Sequence, residues 1–452
     1  MVALASCAVG PDFSKPAVDL PKSFSHQGTQ WKRQSPKSLP RAKDWWGLYG
    51  ERELSQLVEL AIAQNATLDA AAARLAGARA TSKVARSRYF PNITIGQQAR
   101  RVKSVFRGPE GGSIYYKSYE VPVEFSYEID LWGKVRRQVE GAIALEASAE
   151  QQLRALQLSV AGEVAQTYWA LRALDADREL YARTLEVRRE ALELIGKQRD
   201  AGSISDLDYS RAAAEVASAE SDRIQLEAQR VELVNALAVL TGRMATGVSV
   251  PQRSSLPRPP RVPVSLPSEV LQQRPDVRAA LHQVAAANAE IGVATAAMYP
   301  SLTINANGGV EASEWGDLLS SDALVWSLGS NILMPLTSQK LLRHRRDAVR
   351  QEHRAVSAEY RQSVIEAVAE VETAIQTAAI LQRRLDAQQQ AVEAARSTYD
   401  KSLKRYKAGL VSFLDVVDAE RTRLEAERKA NAIRAEALVV SVSLIKAVGG
   451  RW

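Results

Sequence analysis

The run Arg199-Asp-Ala-Gly-Ser-Ile-Ser-Asp-Leu-Asp208 returns near the other end of the chain as Tyr406-Lys-Ala-Gly-Leu-Val-Ser-Phe-Leu-Asp415, 207 residues later. Other landmarks recur at almost the same distance: Phe90-Pro91 as Tyr299-Pro300 at an offset of 209, and Thr241-Gly242 as Gly449-Gly450 at 208. A basic run follows Trp132-Gly133, and another follows Pro335. A period close to half of the 452 residues is too long for a solenoid unit and describes two copies of one large module.

Proline placement says what that module contains. All 17 prolines avoid the stretches Val123 to Val250 and Leu336 to Trp452, both rich in Ala, Leu, Glu, Gln and Arg. Proline-free runs of strong helix formers predict uninterrupted helix. From Lys134 to Asp200 and from Ser338 to Lys407 such helices would run roughly 100 Å, at about 1.5 Å per residue. Leu153, Leu156, Val160, Tyr168, Leu171 and Leu174 form one apolar stripe, and Val364, Val368, Val371 and Ile375 another, the spacing of helix-packing surfaces. Each rod turns back at an Ala-Gly pair, Ala201-Gly202 or Ala408-Gly409, into a second helix, Ser205 to Leu240 or Ser412 to Val448. Two antiparallel helical hairpins result, about 134–240 and 338–448.

Between the helices the period changes to two. In the segment about 114–131, Val121, Val123, Phe125, Tyr127 and Ile129 point one way, and Glu120, Glu124, Ser126, Glu128 and Asp130 the other. Strands are also predicted at about 92–106, 301–312 and 322–335. Ile93 and Ile95 open the first, Leu302, Ile304 and Ala306 face one side of the second, and Leu324, Trp326, Leu328, Ile332 and Met334 mark the last. No run of 18 or more uncharged apolar residues exists, so a membrane-crossing helix is excluded. A bilayer could be spanned only by strands in a closed barrel. Each segment is about long enough for a tilted membrane strand of roughly 9–11 residues, yet four strands fall short of the barrel minimum of about 8. Strands that cross lipid therefore require oligomerisation; the other reading is a soluble sheet capping a helical bundle.

The remaining composition removes several functions. The chain has no Gly-rich phosphate loop and no Gly-x-Ser-x-Gly elbow, and His26, His282, His344 and His353 lack ligand spacing, so no enzyme and no metal site is expected. The net charge of +7 concentrates at Arg343, Arg345, Arg346, Arg350 and Arg354, matched by Lys134, Arg136 and Arg137. No nucleic-acid motif accompanies these bases, and both clusters directly follow strands, where they could meet anionic headgroups. Cys7 is the only cysteine, and Leu4-Ala5-Ser6-Cys7 matches a lipobox, at which a bacterial lipoprotein is cleaved and acylated. Only six residues precede Cys7, without a basic or full apolar region, so residues 1–6 are expected to be a residual signal peptide.

These residues resemble the outer-membrane efflux channels, the TolC/OprM-like family, and more narrowly its lipoprotein branch. The resemblance rests on Cys7-Ala-Val-Gly-Pro-Asp-Phe13 with Pro16, and on the Phe90-Pro91 and Tyr299-Pro300 pairs. It also rests on Tyr127-Glu-Ile-Asp-Leu-Trp132-Gly133-Lys and on Trp326-Ser-Leu-Gly329 followed by Leu333-Met-Pro335-Leu. It covers nearly the whole chain and implies a mainly α fold with a small β part. In that family a homotrimer builds a twelve-stranded outer-membrane β-barrel, four strands per protomer, continuous with a long α-helical periplasmic barrel and a mixed equatorial region. The implied organisation is an extended lipoprotein N-terminus at 7–50, a first repeat at 51–250, a Pro-rich equatorial linker at 251–268 and a second repeat at 269–452.

The implied function is a passive exit duct of a tripartite pump, in the outer membrane of a Gram-negative bacterium, with the helical part in the periplasm. Its partners would be a periplasmic adaptor and an inner-membrane resistance-nodulation-division (RND) transporter. A type I secretion duct and a soluble periplasmic coiled-coil scaffold are the alternatives. No cofactor is implied beyond covalent lipid on Cys7. The resemblance places a periplasmic gate at Asp415, Asp418, Tyr406 and Asp208, with the two aspartates one helical turn apart forming a ring of six carboxylates in a trimer. Their other reading is a helix N-terminal turn favoured by the dipole. Val411 stands where the family's type member carries an arginine of the closing network. Gly202, Ser205, Leu207, Gly409, Leu410, Ser412 and Phe413 would form the tips on which the adaptor docks.

Overall fold

The computed structural model describes residues 8–21, 24, 44–106, 111–260, 262 and 273–450; Cys7 lies outside them. The chain divides into two compact units, Met1–Ala17 with Arg74–Glu150 and Ala279–Arg361, and Val18–Ala73 with Gln151–Arg278 and Gln362–Trp452. In chain order the elements are helices α1 (Arg52–Gln64) and α2 (Ala66–Ser87), strands β1 (Asn92–Ile95), β2 (Gln98–Phe106) and β3 (Gly112–Ile129), and helices α3 (Lys134–Asp200) and α4 (Asp206–Leu240). There follow α5 (Pro275–Ala296), β4 (Ser301–Ala312), β5 (Leu324–Leu333), α6 (Gln339–Lys407) and α7 (Phe413–Ala447). The sequence reading found the long hairpins and the strands. It did not resolve α1, α2 and α5; the apolar content of α2 and α5 is largely alanine.

The first unit holds one antiparallel sheet, in the order β1-β3-β4-β5, with β2 also paired to β3. β1 and β2 run along successive parts of the same side of β3, Ile95 opposite Val123 and Gln98 opposite Glu120. They are one row broken at Gly96 and Gln97, where the sequence predicts an unbroken strand. The break has a backbone cause. Gly96 N–H donates to the Pro122 carbonyl at 3.0 Å, so Pro122 turns its polar backbone edge toward this row. Its missing N–H falls on the same side, and the ladder cannot continue past it. On the other side Pro122 pairs with Gly309, where an added Cβ would lie 2.3 Å from the Val121 carbonyl oxygen.

Register carries the alternation across the whole sheet. Ile93 lies opposite Phe125, Phe125 opposite Ala306 and Ala306 opposite Leu328. Tyr127 is likewise opposite Ile304, and Gly308 opposite Trp326. Along these positions one face is apolar, interrupted by Ser330 opposite Ile304 and by Arg101 opposite Lys117, and Ile93, Ile95, Trp326, Leu328 and Ile332 on it are exposed in the protomer. The other face carries Thr94, Glu124, Ser126, Asn305 and Asn307, with Ser126 hydrogen bonded to Asn305 at 3.1 Å.

The second unit is helical and owns the large core. Trp45, Trp46, Tyr49, Leu54, Val58, Tyr168, Trp169, Leu237, Leu438, Val442 and Ile445 are buried together. Each large side chain so enclosed contributes about 1.5–3 kcal/mol. Tyr168, Leu171, Val371 and Ile375 come from the stripes read in the sequence. Arg172, 1 % exposed, ties the start of the proline-rich linker to this core. It donates to the Pro251 carbonyl at 2.7 Å, pairs with Asp175 at 3.0 Å and with Glu53, and lies over the Tyr168 ring. Arg230 completes the tie by bonding Asp175 and the Val250 carbonyl.

Candidate functional site

The two hairpin turns are built alike. Gly202 and Gly409 both sit at φ 72°, the left-handed region that a side chain disfavours. Gly202 N–H donates to Arg199 O and Ser203 N–H to Gln198 O; Gly409 N–H donates to Tyr406 O and Leu410 N–H to Arg405 O. These bonds satisfy the last carbonyls of α3 and α6 and reverse the chain. Lys197, Arg199, Lys404, Arg405 and Lys407 in the last turns complement the negative helix ends.

The helices that leave the turns are capped differently. Ser205 Oγ accepts from Leu207 N–H at 3.1 Å. At Ser412 the Asp415 carboxylate accepts from the backbone N–H at 2.9 Å and from the hydroxyl at 2.8 Å, within a capping box. Asp415 thus holds the first turn of α7 together. Asp418, three residues on and also exposed, contributes its backbone carbonyl to Thr422.

Tyr406 donates its hydroxyl to Gln198 Oε1 at 3.2 Å, which joins the end of α6 to the end of α3. Burial, and after it the negative charge of Asp208, raises the phenol above its ordinary value. Asp208 is therefore near Tyr406 electrostatically, while its carboxylate faces Arg211 at 3.7 Å. Phe413 stacks edge-on against Tyr406, with centroids 5.6 Å apart, so it belongs to the packed base of the tip. Leu207 and Leu410 are exposed, together with Leu414, which the sequence reading passed over.

Above the tips lies a polar link with no signal in the sequence. Arg188 Nε donates to Glu420 Oε2 at 2.9 Å, and its guanidinium also reaches Glu215 at 3.1 Å and the Glu215 carbonyl at 3.0 Å. Arg421 closes the chain of charges by pairing with Glu215. Four residues from three helices are joined, and only the folded hairpins bring them together.

In the first unit the strand-to-helix junction is aromatic. Trp132 stacks on Tyr299 with centroids 4.8 Å apart, and its indole N–H donates to the Pro300 carbonyl at 2.7 Å. Asp130 caps α3 by accepting from Val135 and Arg136 N–H. The N-terminal segment is fastened here. Val9 N–H donates to the Trp132 carbonyl, Asn288 to the Pro11 carbonyl, and Arg137 pairs with Asp12 at 2.7 Å.

The chain matches the family described as "Outer membrane efflux protein" twice, over residues 57–243 and 266–450. It is 29% identical over 461 residues to the solvent efflux pump outer membrane protein SrpC of Pseudomonas putida, covering 100% of this chain and 97% of that one. It is 31% identical over 418 residues to the pyoverdine export outer membrane protein OpmQ of Pseudomonas aeruginosa, covering 91% and 88%. The solved structure of the outer-membrane channel OprN superposes with a TM-score of 0.90 at 30% identity, over 99% of this chain and 100% of that chain. The Neisseria gonorrhoeae MtrE outer membrane channel in its open state gives 0.86 at 28%, over 98% of each.

An antiparallel sheet with an exposed apolar face, together with paired long hairpins, is the protomer of an outer-membrane channel. The chain belongs to the outer membrane efflux protein family. It resides in the outer membrane and serves as the exit duct of an efflux system, a conduit and not a catalyst.

Proposed function

We propose that three copies of this chain close a twelve-stranded barrel through which an RND transporter and a periplasmic adaptor discharge small organic solutes. One observation carries the reading: among the described residues the sheet has four rows, an apolar face open to its surroundings, and unpaired edges at β1/β2 and β5. Four rows cannot seal, and an open edge cannot face lipid, whereas edge-to-edge pairing with two identical neighbours satisfies both. An internal two-fold repeat is part of the proposal. It is supported by the doubled family match and by Asn65 donating to the Leu240 carbonyl as Arg274 donates to the Ala447 carbonyl. The carbonyls are 207 residues apart, as are Gly242 and Gly449, one residue from the sequence alignment of Gly242 with Gly450.

The organisation given above, from the 7–50 extension to the 269–452 repeat, and the gate at Tyr406, Asp208, Asp415 and Asp418 belong to this reading. Leu207, Leu410 and the small turn residues are the surface offered to the adaptor. The relatives' names speak of solvent and pyoverdine, and the cargo proposed here is of that small-molecule class. Covalent lipid on Cys7 belongs to the same reading; Ala8, the next residue, packs against Gly133 at the aromatic junction. Native mass spectrometry and planar-bilayer recording test the proposal: trimers with steady conductance are expected, and a non-conducting monomer overturns it. Cys7→Ala is expected to abolish acyl labelling and to leave the trimer intact.

A further inference from the structure

The two hairpins enclose a cavity of about 220 Å³ just above their turns, lined from α3, α4, α6 and α7. Its walls are apolar and aromatic, with Leu194 and Ile195 on one side and Tyr399, Tyr406, Phe413 and Val416 on the other. Its roof is charged. Glu420 lines the cavity, is 5 % exposed, and uses only Oε2 on Arg188; Oε1 is enclosed and has no hydrogen-bond partner. A buried carboxylate oxygen without a donor is costly, by about 1–3 kcal/mol or more, because its hydration is lost without replacement. The last torsion of a glutamate is soft, so the carboxylate can turn Oε1 toward the cavity while Oε2 stays on Arg188.

We propose that this cavity is a binding site for a small aromatic amine, its ring between Tyr406, Phe413 and the Leu194–Ile195 wall and its ammonium on Glu420 Oε1. The chemistry of the lining selects that class. The apolar walls take a ring system, aromatic faces favour a nearby cation, and the vacant acceptor needs a donor. The space is lined by Glu190, Glu215 and Glu420 and by Arg188 and Lys407, and Arg188 is already engaged by Glu215 and Glu420, so the vacant acceptor at Glu420 Oε1 is what favours a cation over an anion. A bound amine would touch both hairpins at once. The site shares Tyr406 with the proposed gate, and its test at Glu420 and Ala191 leaves Asp208, Asp415 and Asp418 unchanged.

Tryptamine, titrated calorimetrically into the purified full-length protein in detergent, tests this. The expected result is saturable binding of one molecule per protomer, weakened about tenfold or more in Glu420→Gln, as loss of a charge-assisted bond requires. Binding is expected to vanish in Ala191→Trp, which fills the cavity, and the neutral analogue 3-ethylindole should bind weakly and equally to wild type and Glu420→Gln. If either variant fails to fold, photo-crosslinking of azido-tryptamine to the wild type decides, with label expected within 187–195, 212–215 or 399–420. Absence of saturable binding, insensitivity to both substitutions, or label elsewhere overturns the proposal.

Discussion

Arg188 on α3 and Glu420 on α7 form an ion pair at 2.9 Å that is almost closed to solvent, with side chains 9 % and 6 % exposed. The two residues are 232 positions apart. Their pairing joins the first hairpin to the second, and removing one partner would leave the other charged and buried. Arg188→Met is therefore expected to destabilise the hairpin ends by about 3–5 kcal/mol. Combining it with Glu420→Leu should recover most of that loss, because apolar replacement of both partners removes the desolvation cost. Protease nicking of 188–215 and 399–425, followed against time, measures the effect; equal nicking in single and double variants would sink it.

The two aspartates proposed for the gate separate by experiment, because only Asp415 is shown to cap a helix. Asp415→Ala should cost about 0.5–2 kcal/mol in local stability, since Ser412 loses its capping partner. Asp418→Asn should leave α7 stable and weaken block by multivalent cations in planar bilayers, by removing three of six carboxylates from a trimeric ring. Unchanged cation block in both variants would remove the ring and leave Asp415 with its helix cap alone.

Tyr168 sets an alkaline limit on the core. Burial first, opposed by Arg172, pushes its phenol up to about 12 from the ordinary 10.0. A raised folded value means that the neutral phenol is the form the fold prefers, so its stabilisation is complete below pH 10 and is lost as pH rises toward 12. Tyrosinate absorbance and thermal unfolding, followed together across that window, should move together in the wild type. Tyr168→Phe should flatten the tyrosine-linked part of the stability loss.

Gly309 is the position in the sheet least able to accept a side chain. With an added Cβ at 2.3 Å from the Val121 carbonyl oxygen, Gly309→Ala forces β4 away from β3 beside Pro122. The expected outcome is loss of the proposed trimer, read as a heat-modifiable band on gels. Gly308→Ala, where an added Cβ meets nothing within 4 Å, should retain it.

Much of the architecture was legible in the sequence. Val121 to Ile129 and Leu302 to Ala306 showed their faces, and the register confirms that these faces are one. The turns at Gly202 and Gly409 were legible because a tight reversal after a long helix needs a residue tolerant of positive φ. The capping bond from Asp415 to Ser412 was not, because three-residue spacing suits a pore ring and a helix cap equally. Phe413 read as a tip and is packed on Tyr406, and the hydroxyl of Tyr406 goes to Gln198, a residue without a distinguishing pattern.

The sequence by itself determined the elements: where helices run, where the period changes to two, and where the chain reverses. Those properties follow from neighbours two to four residues apart, whose side chains share a face whatever the rest of the chain does. Only the tertiary structure decided the break between β1 and β2 opposite Pro122, the Arg188–Glu420 link, and the cavity beneath it. Each depends on residues far apart in the chain, chosen by register and burial, and no local spacing records which distant partner a proline or a buried charge will meet.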